Sequence, residues 1–354
     1  MAEPFNRYDL TSARQHGRPG REIRPRSLTV DIHSHALVPA AADVVRGHLT
    51  PDPRAEFYSE ETRILGRKQD ADRTPFLTDL ERRMRTFDEM GVDAQVITPA
   101  PNQCYYGVPR EIGLKAARVV NEGIAEIARS RPDRIPAAMG SVPLQAGGEA
   151  AADELEYCVT TLGLKGVEVL AHVRDKELSD PTFEPFWAKV EELGAVVFIH
   201  PNSFTQPQRF GKHYFSNVIG NPTESAIAAS HLIFGEVLDR CPKLVVCLPH
   251  GGGSFPYLVG RINHGWGVRP ECKHLLKGPN DYLRRFYYDT VTHSAPALSY
   301  LIGLVGADRV MLGSDFCFDM GYTRPVEVVT GHAGIGDDDR RKILGGNAAR
   351  LLHL

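Results

Sequence analysis

From residue 28 onward, apolar runs of strand length alternate with stretches of helical period, the signature of a repeating strand–helix unit. The pattern predicts strands at 28–35, 93–100, 135–142, 165–171, 195–200, 244–249, 286–292 and 309–315. Several are unbroken apolar runs, such as Ala195-Val196-Val197-Phe198-Ile199 and Leu244-Val245-Val246-Cys247-Leu248. Strands covered on both faces of a parallel sheet read this way. Between strands, Ile112, Ala116, Val119, Val120, Ile124 and Ile127 recur on one side of a helix predicted over 110–129. Gly163 and Gly194 stand where a helix ends and a strand follows, the usual place for a left-handed residue. Eight such units predict an α/β protein, a distorted (β/α)8 TIM barrel. A doubly wound sheet is the alternative, weakened because no GxGxxG follows the first strand.

Two regions depart from the repeat. Residues 1–27 carry six arginines (Arg7, Arg14, Arg18, Arg21, Arg24, Arg26), three prolines and few large apolar side chains, which predicts an extended arm outside a 28–354 barrel domain. Residues 45–76 are polar and contain Pro51, Pro53 and Pro75. This stretch, too long for an ordinary loop after the first strand, reads as a small insertion or lid over the barrel mouth.

Composition removes several functional classes. With 42% hydrophobic and 24% charged residues over 354 positions, neither a disordered chain nor a coiled coil fits. Lys plus Arg total 41 against 44 for Asp plus Glu, so a broad nucleic-acid surface is not expected and the partner is expected to be small. No apolar run approaches the roughly 18–20 residues of a membrane span, and no secretory segment is evident. The cysteines Cys104, Cys158, Cys241, Cys247, Cys272 and Cys317 form no CxxC pair, which points to a reducing cytoplasm rather than a disulfide framework.

Chemistry concentrates at strand ends. The first strand finishes Asp31-Ile32-His33-Ser34-His35, and alternation along a strand sends His33 and His35 to the same face. With 14 histidines in 354 positions, a His-x-His arises by chance about 0.55 times, so the pair alone decides nothing. Three further apolar runs end in polar groups: Ile199-His200-Pro201, Pro249-His250-Gly251-Gly252-Gly253 and Gly313-Ser314-Asp315. Barrel enzymes place ligands and catalytic groups at this position. The imidazoles of His33, His35 and His200 with the Asp315 carboxylate suit Zn2+, while Mn2+, Fe2+ and Co2+ stay open. Such an ion lowers the pKa of a bound water from 15.7 to about 7. His250 is placed outside that set as the acid/base. Asp289 is a possible partner for a ligand histidine, His172 and His293 are possible pocket residues, and His231 reads as a core or interface side chain.

The run Pro249-His250-Gly251-Gly252-Gly253-Ser254-Phe255-Pro256-Tyr257, continuing through Arg261 to Trp266 and Arg269-Pro270, resembles the aminocarboxymuconate-semialdehyde decarboxylase-like family of the amidohydrolase superfamily. So do Asp31-Ile32-His33-Ser34-His35, the stretch from Gly163 to Val167, Ile199-His200-Pro201, Gly313-Ser314-Asp315-Phe316 and Gly346-Asn347-Ala348, in matching order from about Leu28 to the C-terminus. The resemblance implies one zinc held by His33, His35, His200 and Asp315, with His250 catalytic and no organic cofactor. It implies a homodimer in which Arg261 crosses to grip a carboxylate on the neighbour's substrate, a task suited to a guanidinium fork. Arg73 is the nearest match to a second substrate arginine, with Arg67 competing. Asn202 stands where the family usually has an aromatic residue after its His-Pro, and Phe316-Cys317-Phe318 stands in place of an aromatic-proline pair; Asn202 and Phe316 are expected to contact substrate. The implied activity is decarboxylation of a conjugated or aromatic carboxylate; the alternative on the same site is hydrolysis of a carbon–carbon bond in a ring-cleavage product.

Overall fold

The computed structural model describes residues 27–49, 56–202 and 207–354, together with a short antiparallel pairing of Asn6–Arg7 with Leu10–Thr11. The remainder of the predicted arm lies outside the described residues, as do 50–55 of the predicted insertion.

Eight parallel strands follow one another around a ring. They are β1 (Val30–Ala36), β2 (Ala94–Pro99), β3 in two pieces (Ala137–Ala138 and Gly140–Ser141), β4 (Gly166–Leu170), β5 (Val196–His200), β6 (Val245–Leu248), β7 (Phe286–Asp289) and β8 (Val310–Met311). Each pairs with the next in register, from Val30 opposite Ala94 to Asp289 opposite Met311. The ring closes between β8 and β1, where Ile32 N–H donates to the Leu312 carbonyl at 2.9 Å and His35 N–H to the Phe316 carbonyl at 2.8 Å. Closure decides for the barrel over the doubly wound sheet. Distortion sits at Met139, which interrupts β3, and at a register shift in β1 between Asp31 and Ser34.

The strands sort their side chains into two dry layers. Inside the ring, Val30, Ile32, Val96, Met139, Val196, Phe198, Cys247 and Met311 form a plug closed from below by Ala348 and Leu352 of the C-terminal helix. Outside it, Ile97, Val167, Val169, Val197, Ile199, Val246, Leu248 and Val310 pack against the surrounding helices. Those helices are α1 (Ala40–Val45), α2 (Glu60–Thr78), α3 (Leu80–Met90), α4 (Arg110–Ser130), α5 (Gly148–Glu156), α6 (Glu184–Leu193), α7 (Asn221–Phe234), α8 (Phe255–Val268), α9 (Ala295–Val305) and α10 (Asn347–Leu352), with shorter turns between. Their ends are marked locally. The Asp79 carboxylate accepts from Arg82 N–H at the start of α3, and Gly91 closes it at φ 74°. Gly163 and Gly194 adopt φ 74° and 62°, as their positions before β4 and β5 predict.

The stretch predicted as a lid becomes largely α2, whose residues Glu61 to Leu77 flank the mouth of the ring at its C-terminal end. The predicted strand 309–315 pairs regularly only over Val310–Met311, because the chain then turns out toward the site.

Candidate metal centre and substrate pocket

Regular alternation would send Ile32 and His33 to opposite faces of β1. The register shift between Asp31 and Ser34 overrides it. Ile32 stays in the interior plug while the His33 ring also turns inward, 5.0 Å from the Phe198 ring. Asp31 and Ser34 face away from the plug: Asp31 accepts from Gln95 Nε2 and from the backbone N–H and hydroxyl of Ser314, and the Ser34 hydroxyl donates to the Val96 carbonyl. The expectation that His33 and His35 share a face holds, through a bulge that simple periodicity does not contain.

Five polar side chains meet above the plug. The ring of His33 lies 5.1 Å from that of His35, 5.3 Å from that of His200 and 5.1 Å from that of His250. Asp315 Oδ1 sits 3.3 Å from His33 Nε2 and 3.4 Å from His35 Nε2, and its Oδ2 sits 3.5 Å from His250 Nε2. Mutual distance alone groups one atom each of His33, His200, His250 and Asp315 within 4.8 Å, leaving His35 out. Hydrogen bonding sorts them differently, and it bears directly on ligation because a ligand atom must present a lone pair. The buried Nε2 atoms of His33, His35 and His200 lack a well-aligned hydrogen-bond partner among the described residues; in His250 it is Nδ1 that lacks one.

The far nitrogens of the first three rings are engaged. His33 Nδ1–H donates to Asp289 Oδ2 at 2.6 Å, His35 Nδ1–H to the Pro99 carbonyl at 3.1 Å, and His200 Nδ1–H to the Pro201 carbonyl at 2.8 Å. Such partners leave each Nε2 as the lone-pair donor and hold its ring in place. Three imidazole nitrogens and one carboxylate oxygen facing a common point make a donor set that a divalent transition ion fits.

Electrostatics favour neutral rings at His35 and His200 and a proton on His33 that a bound ion would displace. Burial, reinforced by its charged neighbours, holds His200 well below the usual imidazole value, and burial lowers His35 to about 4, so both are neutral near pH 7. Burial also opposes charge on His33, but Asp315 and Asp289 outweigh it and push the ring up to about 10. Asp315 is held well below the ordinary carboxylate range against its own burial, chiefly by His33 and His250. Beneath His35, burial raises Glu168 to about 8, with Oε2 3.6 Å from His35 Nδ1.

His250 reaches this centre on an unusual turn. His250, Gly251, Gly252 and Gly253 have φ of 55°, 61°, 79° and 59°, a succession that side-chain-bearing residues resist. A Cβ on Gly252 would come within 2.8 Å of the Tyr288 ring, and one on Gly253 within 2.4 Å of the Pro222 carbonyl oxygen. Asp289 fixes the turn as well, its Oδ1 accepting from Gly251 N–H at 2.8 Å. The orienting role considered for Asp289 thus extends to two of the five groups.

Above the centre lies a cavity of about 1150 Å³ with His200, His250 and Asp315 in its wall. Arg73, Arg67 and Asn202 line it, together with Lys212, Tyr214 and Phe318. The Arg73 guanidinium stacks on Phe318, 4.5 Å from the ring centroid, beside its ion-pair partner Asp70. Phe316 does not line the cavity. It is 1% exposed and packs edge-on against Phe76 and Phe87, so the residue after Asp315 serves the core and Phe318 supplies the aromatic wall. Arg261 projects from the exposed face of α8 and does not line its own chain's cavity. His293 lines a second, mainly apolar cavity of about 580 Å³ on the other side of His250. His172 donates from Nδ1 to the Arg174 carbonyl and lines neither cavity, and His231 is half-exposed beside Glu177.

Sequence reasoning missed Glu168, Tyr214 and Lys212. A lone acid inside Gly166-Val167-Glu168-Val169-Leu170 was a usable signal, since apolar parallel strands seldom bury one without a task. Nothing in the pattern marks Tyr214, which the left-handed backbone of His213 and Tyr214 turns toward Asp319.

The family model for the amidohydrolases matches residues 30–354. The chain belongs to the amidohydrolase family. A 2-amino-3-carboxymuconate-6-semialdehyde decarboxylase of Dictyostelium discoideum is 34% identical over 278 residues, covering 78% of this chain and 77% of that one. A gamma-resorcylate decarboxylase of Rhodococcus jostii (strain RHA1) is 30% identical over 293 residues, covering 77% of this chain and 87% of that one. Among solved structures, 5-carboxyvanillate decarboxylase from Sphingomonas paucimobilis superposes with a TM-score of 0.81 at 24% identity, over 92% of this chain and 99% of that one, a likeness of fold. This amidohydrolase therefore shares its barrel and chain order with carboxy-lyases. No helix among its described residues is long and apolar enough to cross a membrane.

Proposed function

We propose that this chain is a metal-dependent, cofactor-free carboxy-lyase acting on a conjugated or aromatic carboxylate. The observation that carries the proposal is the convergence of three free imidazole nitrogens and Asp315 beside a cavity lined by Arg67, Arg73 and Lys212. His33, His35, His200 and Asp315 would hold the ion, zinc in our assignment, with manganese, iron or cobalt compatible with the same donors. When bound, such an ion supplies Lewis acidity toward substrate oxygens and stabilises negative charge that develops there.

The remaining work falls to side chains. Loss of carbon dioxide breaks a carbon–carbon bond, and the electron pair left on carbon must take up a proton. His250, with Nε2 beside Asp315, is positioned to deliver that proton to the carboxyl-bearing carbon. Arg73, steadied by Phe318, would hold an anionic group of the substrate, with Asn202 in the wall of the same cavity. Helix α2 forms one wall and would act as the lid. Arg261 would enter the neighbour's cavity in a homodimer. Supporting that assembly, Tyr257 is 81% exposed one helical turn before Arg261, and Val218 and Tyr300, also exposed, line the second cavity with it. Six cysteines that form no disulfide among the described residues, five of them buried, suit a reducing cytoplasm.

The deciding experiment incubates the metal-loaded enzyme with gamma-resorcylate, 5-carboxyvanillate and 2-amino-3-carboxymuconate-6-semialdehyde and measures carbon dioxide. Stoichiometric release with a one-carbon-shorter product is the expected result. Cleavage into two organic acids without carbon dioxide would instead establish the carbon–carbon hydrolase.

A further inference from the structure

Helix α3 buries one charged side chain that the proposed reaction does not use. Arg83 is 2% exposed and lies on the same face as Met84, Phe87 and Met90. Its guanidinium sits 5.3 Å from the Phe87 ring centroid and 4.9 Å from that of Phe316. All three of its nitrogens are directed. Nη1 donates to the His35 carbonyl at 2.6 Å, Nη2 to the Ser34 hydroxyl at 3.2 Å, and Nε to Gln95 Oε1 at 3.2 Å. Gln95 passes the connection on, its Nε2 donating to Asp31 Oδ2 at 2.9 Å. Asp31 accepts from His33 N–H at 3.1 Å, from Ser314 N–H at 3.0 Å and from the Ser314 hydroxyl.

The location of this relay is its meaning. Regular pairing of β1 with β2 lapses between Asp31 and Ser34, and regular pairing of β8 ends at Met311. His33 and Asp315 therefore lie where the ladder no longer dictates geometry, and His35, opposite Thr98, stands just past the lapse. A few cross-links tie them, among them Asp315 N–H to the His33 carbonyl at 2.8 Å and His35 N–H to the Phe316 carbonyl at 2.8 Å. Arg83 and Asp31 grip the same stretches from outside the ring.

We propose that Arg83 is a positioning residue for the metal centre: by holding the His35 carbonyl and Ser34 directly, and Ser314 through Gln95 and Asp31, it sets the spacing between the β1 imidazoles and Asp315 and thereby the affinity for a divalent ion. A guanidinium can hold three acceptors in one plane; an ammonium at the same place is a point charge and cannot. Metal–donor distances fall within about 0.2 Å of set values, so a loosened strand end is expected to weaken binding. The inference rests on the metal assignment made above.

The test compares metal-free wild type with Arg83→Lys and Gln95→Met by titrating Zn2+ and Mn2+ against a chromogenic chelator, with the thermal midpoint of each metal-free protein measured alongside. Arg83→Lys should weaken affinity by about 10- to 100-fold, the range for loss of an outer partner of a ligand. Gln95→Met should weaken it less, and saturating metal should restore occupancy in both. Unchanged affinity in folded Arg83→Lys, whatever its midpoint, would reduce Arg83 to a structural residue and overturn the proposal. If Arg83→Lys does not fold, unchanged affinity in Gln95→Met has the same force. Wild type that binds neither ion defeats the metal assignment itself, which separates the two failures.

Discussion

Strand β1 contributes to two regions that share a barrel and little else. Its first inward residues, Val30 and Ile32, join a dry plug in which every member is apolar. Its last, His33 and His35, face a centre of imidazoles and a carboxylate that is almost as deeply buried. The plug lowers free energy by removing apolar surface from water. The centre does the reverse, since it buries imidazole nitrogens that lack a well-aligned hydrogen-bond partner among the described residues. Stability and chemistry are thus separated by one layer of side chains, with Phe198 touching both. The floor is what allows the costly arrangement above it to persist.

Substitutions in the two layers should have opposite signatures. The largest effect is expected from His250→Ala: turnover should fall by about 10²- to 10⁴-fold while bound metal, measured by atomic absorption, stays at the wild-type level. Near-native turnover would remove His250 from the proton path. In the plug, Met139→Ala should destabilise the fold by about 2–5 kcal/mol in denaturant titrations, with metal affinity unchanged; a matching loss of affinity would show that the layers are not separable. Asp289→Asn keeps the shape of the side chain but removes its charge from behind His33, and should weaken metal binding by about 10- to 100-fold in chelator competition. The smallest effect is expected at the rim, where Arg73→Ala should raise KM by about tenfold with little change in kcat, the loss of one charge-assisted contact. A change confined to kcat would place Arg73 at the reacting carbon instead.

What was legible in the sequence follows the same division. The plug and the outer layer were visible as apolar runs, because burial on both faces of a strand leaves no polar residue to confuse the pattern. The strand-end histidines and Asp315 were visible because a polar group closing an apolar run is conspicuous. The bulge in β1 was not, since Asp31-Ile32-His33-Ser34-His35 contains no glycine or other local sign of a bulge and only pairing with β2 reveals the shift. Phe316 was misplaced for a related reason: its side-chain direction depends on the left-handed Asp315, at φ 58°, and no local propensity announces that residue's conformation. Arg83 was hidden among the charges of Leu80-Glu81-Arg82-Arg83, although its spacing of four from Phe87 puts it on the apolar stripe. Tyr214 and Lys212 belong to an irregular segment whose course tertiary contacts decide.

Asp289 holds His33 through one oxygen and the turn beneath His250 through the other. The group that would retain the ion and the group that would move the proton are therefore yoked to a single side chain, and neither can be retuned alone. Changes of diet must come from elsewhere, from the walls contributed by α2 and by 207–220, where residues can be exchanged without disturbing that yoke. An engineer seeking new carboxylates for this scaffold would do well to randomise those walls and leave Asp289 untouched.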